Sequence, residues 1–256
     1  MVNLDYPKIL SLEDIGSRSQ DGLNILEVGF GDGEFLSKLC EAGHSVVGTE
    51  VSAQMVEQTR KKISQATILQ NDQPSEIDGF FDAVCCFEVL EHVPDPISLA
   101  RQFPAERIYA SVPNAGRWYP KLTGRYEYWD FPPNHLWRFC DCEPLSADNH
   151  DQGCKLRDAG KLAKGQRAMP LRWLFKEAGY TNIKVRPTPV QAHDLLRMIP
   201  LRKVSSDYDQ MRRKSKLGTI TSVGKRLVTP VTAPAASILN LFGSSGVSFY
   251  VSGTRQ

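Results

Sequence analysis

The chain lacks any long uninterrupted apolar run. Its longest, over 227–242, is broken by Pro230 and Pro234 and is too short to span a bilayer. No basic segment followed by an apolar one opens the sequence, so a secretory signal is not expected and a cytoplasmic protein is. Charge of one sign does not dominate: the formal net charge is +2, which by itself implies no nucleic-acid partner. Repeats and low-complexity tracts are absent. Cysteines number six, and Cys40, Cys85 and Cys86 lie in or beside apolar stretches, as reduced thiols do. A disulfide framework is not expected. Cys140, Cys142, His150 and Cys154 invite a zinc reading, but the Cys-x-Cys spacing is tighter than structural zinc sites use. An irregular polar loop with incidental thiols fits 140–168 better. With 256 residues, 41% of them hydrophobic, one well-buried core with additions is within reach.

A second absence is more telling. Residues 25–33, Ile-Leu-Glu-Val-Gly-Phe-Gly-Asp-Gly, form a strand and a glycine turn, and helical spacing of Phe35, Leu36 and Leu39 follows. The G-x-G-x-x-G pattern of dinucleotide sites is missing, because Gly33 comes one residue early and Glu34 stands where the third glycine belongs. Glu27 would also set a carboxylate close to phosphates, which is electrostatically unfavourable. A carboxylate suits a ligand that carries positive charge and no phosphate. The ammonium and sulfonium groups of S-adenosylmethionine meet that description.

Strand and helix patterns then alternate: strands near 24–28, 45–49, 67–70, 81–86 and 107–112, helices near 33–42, 52–63 and 96–102. Such alternation predicts a doubly wound α/β sheet, mostly parallel, with helices on both faces. Residues 1–21 read as a polar lead-in over the domain edge, and 113–139, rich in proline and aromatics, as a structured loop. A helix at 170–178, ended by Gly179, and strands at 182–187 and 247–252 complete the pattern.

Four segments resemble, in order and spacing, the class I S-adenosylmethionine-dependent methyltransferases. They are Leu26 to Gly33, Gly48-Thr-Glu-Val-Ser52, Phe81-Asp-Ala-Val84 and Glu88-Val-Leu-Glu-His-Val-Pro-Asp-Pro96. The resemblance covers roughly 22–190 and the last strand. It implies a Rossmann-like seven-stranded sheet whose last strand inserts antiparallel between the fifth and sixth, so the chain reads as one domain, 1–256, with an insertion at about 190–245. It assigns Glu27 to the methionine end of the cofactor, Gly29, Gly31 and Gly33 to a turn of close approach, and Glu50 to the ribose. Asp72 matches the residue that meets the adenine amino group, with a solvated loop carboxylate as the alternative. Phe87 either lines the cofactor cleft or belongs to the core.

Glu88, Glu91 and His92 share a face if a helical turn forms there. Such a mixed oxygen and nitrogen set suits Mg²⁺, Mn²⁺ or Zn²⁺. The arrangement resembles the metal-assisted small-RNA 2′-O-methyltransferases and the O-methyltransferases of ubiquinone synthesis, and in the former a later histidine, matched here by His135, completes the set. The alternative is a metal-free site in which His92 or His135 acts as base. Residues 126–139 resemble a segment of methyltransferases of bacterial cell-surface glycan pathways, which carries His-His where this chain has Asn134-His135. The expected reaction is therefore methylation of a hydroxyl on a small or lipid-linked, sugar-like acceptor.

Two other functions compete. Between 197 and 226 nine basic residues face two acidic ones, a local net of +7 that would suit an RNA 2′-O-methyltransferase. Tyr208 alone offers a stacking face there, which argues against a single-strand binder. The same basic segment, followed by apolar residues, fits peripheral contact with an anionic membrane at the inner surface. A non-catalytic partner-binding module is the third reading, opposed by the intact Glu27, glycine and Glu50 positions.

Overall fold

The structure, a computed structural model, describes residues 5–17, 22–118, 120, 130–142, 162, 165–191, 233–241 and 245–255. Its elements run α1 (Tyr6–Gly16), β1 (Asn24–Val28), α2 (Glu34–Glu41), β2 (Ser45–Glu50), α3 (Ala53–Lys62), β3 (Thr67–Gln70), β4 (Phe81–Phe87), α4 (Pro96–Arg101), β5 (Ala105–Pro113), β6 (Trp137–Cys140), β7 (Arg167–Pro170), α5 (Leu171–Glu177), β8 (Thr181–Pro187), α6 (233–241) and β9 (Ser248–Thr254). The main sheet has seven strands in the order β3-β2-β1-β4-β5-β9-β8. As expected, β9 is antiparallel to both β5 and β8, and the pairings among β1 to β5 are parallel.

Alternation along the strands sorts the core onto the two sheet faces. Ile25, Ala83, Cys85 and Tyr109 pack with Phe35, Leu36 and Leu39 of α2, Val56 of α3 and Ile15 of α1. Leu26, Val84, Cys86 and Ile108 pack with Leu171, Leu174 and Phe175 of α5. Burial pushes the Cys85 and Cys86 thiols well up, which keeps them protonated and inert. From β1 the chain winds outward through β2 and β3, then returns to lay β4 on the other side of β1. The crevice at such a reversal, beyond the strands' carboxyl ends, is where open α/β sheets take ligands.

Three elements differ from the sequence reading. The lead-in forms helix α1, with Pro7 in its first turn and Pro7, Ser11 and Ile15 buried at four-residue spacing. Within 113–170, β6 and β7 form a two-stranded parallel sheet. Cys140 and Cys142 are joined as a disulfide, contrary to the expectation of incidental thiols. The chain divides into two compact units, one of Met1–Ala115, Glu127–Thr188 and Ser248–Gln256 and one of Gly116–Tyr126 and Pro189–Val247. Within the second, Ala236 and Leu239 of α6 pack with Trp118 and Val190, and the Asn240 amide bonds both the N–H and the carbonyl of Val190. Among the described residues no helix is long and apolar enough to cross a membrane.

Candidate active site

Strand β1 ends at the glycine turn. Gly29, Gly31 and Gly33 all take positive φ (+74°, +59° and +77°), a region that costs other residues about 1–2 kcal/mol. The turn is fastened to β2: the Gly29 and Phe30 amides donate to Thr49 O. Glu50, at the end of β2, accepts from Gly31 N at 3.0 Å and from Ser52 N at 3.0 Å. A side chain at Gly29 would collide with Val89, whereas one at Gly31 would meet nothing within 4 Å. The turn therefore presents open backbone at Gly31.

Glu27 is 1% exposed, on the sheet face that α1 and α2 cover. Its Oε2 has no hydrogen-bond partner. Burial, against the attraction of Lys8, raises the Glu27 carboxyl to about 8, with Asp32 and Glu50 adding to the rise. Lys8 of α1 also places its ammonium 6.0 Å from the centre of the Phe87 ring. A buried acceptor of this kind is matched to a cation. The ammonium of a methionine-like group fits it.

On the neighbouring strand, β4 ends at Phe87 and the chain turns sharply. Glu88 takes φ +54°, its N–H donates to Ser111 O, and its Oε1 accepts from Ser111 Oγ at 2.8 Å. The turn that forms here is tighter than an α-helical one, closed by His92 N donating to Val89 O. It buries Glu91 completely and leaves His92 exposed. Neither Glu91 carboxylate oxygen has a hydrogen-bond partner. Burial first, and the Glu88 carboxylate second, raise the Glu91 carboxyl well above the usual carboxylate range. His92 Nε2 lies 3.7 Å from Glu91 Oε1.

The segment 130–137 is stitched onto this turn. Leu136 N donates to Glu91 O at 2.8 Å, His92 Nδ1 donates to Asn134 O at 2.6 Å, and Trp137 Nε1 donates to Val93 O at 3.0 Å. The stitching sets the His135 ring 5.0 Å from the His92 ring. One ligand atom each of Glu91, His92 and His135 then lie within 4.8 Å of one another. A buried carboxylate with two imidazoles beside it fits a borderline divalent cation. Glu88 stands outside the group of three.

A family model described as a methyltransferase domain matches residues 6–185. The chain belongs to this family of class I S-adenosylmethionine-dependent methyltransferases. Over 91 residues it is 32% identical to the ubiquinone biosynthesis O-methyltransferase of Vibrio parahaemolyticus, a stretch covering 33% of this chain and 39% of that one. Over 113 residues it is 31% identical to the enzyme of the same name from Bordetella parapertussis, covering 41% and 44%. The chain thus spans less than half the length of these curated relatives. In fold it is like a SAM-dependent methyltransferase from Archaeoglobus fulgidus, with a TM-score of 0.52 and 14% identity over 97% of this chain and 92% of that one.

In this methyltransferase Glu27, the three glycines and Glu50 come together at the ends of β1 and β2. Asp72 lies exposed two residues beyond β3. Phe87 is 7% exposed and packs edge-on against Phe35 at 5.1 Å, so it sits in the core beneath the cleft. His150, Cys154, the basic segment 197–226 and the apolar residues Leu227, Val228 and Val231 lie outside the described residues. Sequence reasoning missed Lys8, Ser111 and Trp137. The four-residue rhythm of Pro7, Ser11 and Ile15 was the available signal for α1, and hence for Lys8. The others are set by pairings across the fold and carry no local signal.

Proposed function

We propose that the methyltransferase moves the methyl group of S-adenosylmethionine to a hydroxyl of a small or lipid-linked acceptor. The observation that carries the reading is the group Glu91, His92 and His135, one strand from the glycine turn. Val89, within the same tight turn, fills the space beside Gly29, so cofactor turn and histidine pair share a wall. Glu27 would receive the cofactor's ammonium, Gly31 its closest approach, and Glu50 the ribose hydroxyls through lone pairs left over from its two backbone bonds. Asp72 would reach the adenine edge from its exposed loop.

Glu91, His92 and His135 would hold Mg²⁺, Mn²⁺ or Zn²⁺, with the Glu88 carboxylate beside Glu91 adding negative charge. Such a cation lowers the pKa of an acceptor hydroxyl at neutral pH. In its absence the exposed His92 ring, whose Nδ1 proton is engaged by Asn134 O, offers a bare Nε2 as base. Alignment of the acceptor oxygen with the methyl group supplies much of the remaining rate. The names of the curated relatives favour oxygen as the atom methylated. For a lipid-linked acceptor, contact with an anionic membrane through 190–245 is the companion proposal, and the exposed Ile238 and Leu241 of α6 agree with it.

Isotope-labelled S-adenosylmethionine incubated with the protein and a host extract, followed by mass spectrometry, tests the reading. Labelled O-methyl products that disappear with Glu91→Gln are expected. Label arriving on nitrogen or carbon, or no affinity for the methyl donor, would replace it.

A further inference from the structure

Three successive residues of the turn after β4 are each bonded to one short stretch, 134–137. Leu136 N donates to Glu91 O at 2.8 Å, His92 Nδ1 donates to Asn134 O at 2.6 Å, and Trp137 Nε1 donates to Val93 O at 3.0 Å. A main-chain carbonyl can only accept, so His92 Nδ1 carries a proton and the neutral ring has a bare Nε2. That Nε2 lies 3.7 Å from Glu91 Oε1.

On the side of 134–137, two of these bonds use main chain and the third uses a side chain, the Trp137 indole. A β-turn begun at Val93 would be closed by the N–H of residue 96, and Pro96 has none. The indole, which can only donate, supplies a donor to Val93 O instead. Trp137 is 8% exposed and belongs to the apolar core that also contains Leu90 of the same turn. Arg167 of β7 sets its guanidinium 5.4 Å from the Trp137 ring centre, and its N–H bonds Leu136 O at 3.0 Å. The ring is therefore anchored by β7 and the core as well as by the turn it holds.

We propose that Trp137 is a positioning residue: by holding Val93 O, its indole N–H keeps the His92 ring on the Asn134 carbonyl, with Nε2 turned toward Glu91. This rests on the reading of His92 as metal ligand or base. Asn134 takes part through its carbonyl, which any residue at 134 would offer. A carbonyl behind an imidazole fixes the ring's tautomer and raises its basicity toward a ligand, and a disturbed partner of this kind typically costs about 10–100-fold in metal affinity.

Trp137→Phe removes the donor and keeps an aromatic ring in the core. Nitrogen-15 NMR of the five histidines reads their tautomers whatever the metal content. In the parent protein His92 should carry its proton on Nδ1, and the Trp137 indole N–H should exchange slowly with solvent. In Trp137→Phe the His92 ring should become a mixture of tautomers, whereas Asn134→Ala should leave it as in the parent. Cobalt(II) titration followed by visible absorption should show about tenfold weaker binding in Trp137→Phe, with cofactor affinity unchanged by calorimetry. A lowered melting temperature with an unchanged His92 tautomer would reduce Trp137 to a packing residue and overturn the proposal, as would a tautomer shift in Asn134→Ala. A parent protein with His92 protonated on Nε2 alone, or with fast indole exchange, would overturn it too, and these two measurements carry the test if Trp137→Phe does not fold. A parent protein that takes up no cobalt would remove the metal reading alone, and the His92 tautomer would still decide what Trp137 does.

Discussion

Glu27 and Glu91 are two buried carboxylates that the fold treats differently. Each has an oxygen without a hydrogen-bond donor, and burial raises the pKa of each. Glu27 has one side-chain cation acting on it, Lys8, against the carboxylates of Asp32 and Glu50. Glu91 faces two imidazoles and a second carboxylate. The first suits an organic cation held from one side, where nothing needs to coordinate it. The second converges several donor atoms on one point, as an inorganic cation requires. The two environments thus form at the ends of neighbouring strands, β1 and β4, yet offer different chemistry.

The separation can be broken most directly by His135→Ala. Turnover should fall by about 10²–10⁴-fold while calorimetry finds cofactor affinity unchanged. Equal loss of both would mean that the two regions act as one. A chelator should reproduce the loss and Mg²⁺, Mn²⁺ or Zn²⁺ reverse it, whereas full activity in chelator would leave the imidazoles as a plain base.

The Glu27 region should respond to pH. Its folded pKa of about 8 lies above the ordinary 4.5, so between those values the folded protein keeps a proton that the unfolded chain has lost. Without cofactor, stability therefore falls as pH rises through that window and levels off above it. Binding a cation expels this proton. Cofactor affinity should accordingly rise with pH, by at most about tenfold per unit between about pH 6 and 8, and then flatten. Lys8, Asp32 and Glu50 are the charged groups that tune the midpoint. Calorimetry in buffers of different ionisation heat should detect the released proton, and Glu27→Gln should abolish it. A flat profile in the parent protein would mean that the cofactor's ammonium goes elsewhere.

Glu50→Ala should weaken cofactor binding by about 1–3 kcal/mol, since charged acceptors are lost at a partly buried position. Metal affinity should not change, and if it does, the turn and the histidine pair are coupled. The smallest effects compare two glycines. Gly31→Ala should cost about 1 kcal/mol of stability from its positive φ alone. Gly29→Ala should lower the melting temperature further, because its new methyl group meets Val89 at 2.5 Å. The reverse order would mean that Val89 yields easily.

The glycine turn and its tie to Glu50 were legible because the parts are contiguous. A strand, a turn and a helix within 25–39, followed by a second strand ending in Glu50, need only periodicity and turn chemistry to be read. The other end draws on residues far apart in the chain, and His135 was placed by resemblance rather than by pattern. Trp137 could not be found that way, since its indole bonds a main-chain carbonyl 44 residues earlier. Strands β6 and β7 escaped because four residues are too few to display an alternation. Helix α6 escaped because Pro234 reads as a breaker, although the first turn of a helix tolerates proline.

Asp14 of α1 accepts both the Tyr250 hydroxyl of β9 and the Arg186 guanidinium of β8. Strand β9 itself is the wedge between β5 and β8. The helix that brings Lys8 toward Glu27 is thus moored to a strand far downstream in the chain. During synthesis the glycine turn can form early, but β5 stays an open edge and α1 lacks its mooring until 248–254 emerge. Premature termination before β9 would therefore release a chain with a formed turn, an unfinished sheet and an exposed strand edge, a species suited to aggregation and to recognition by chaperones.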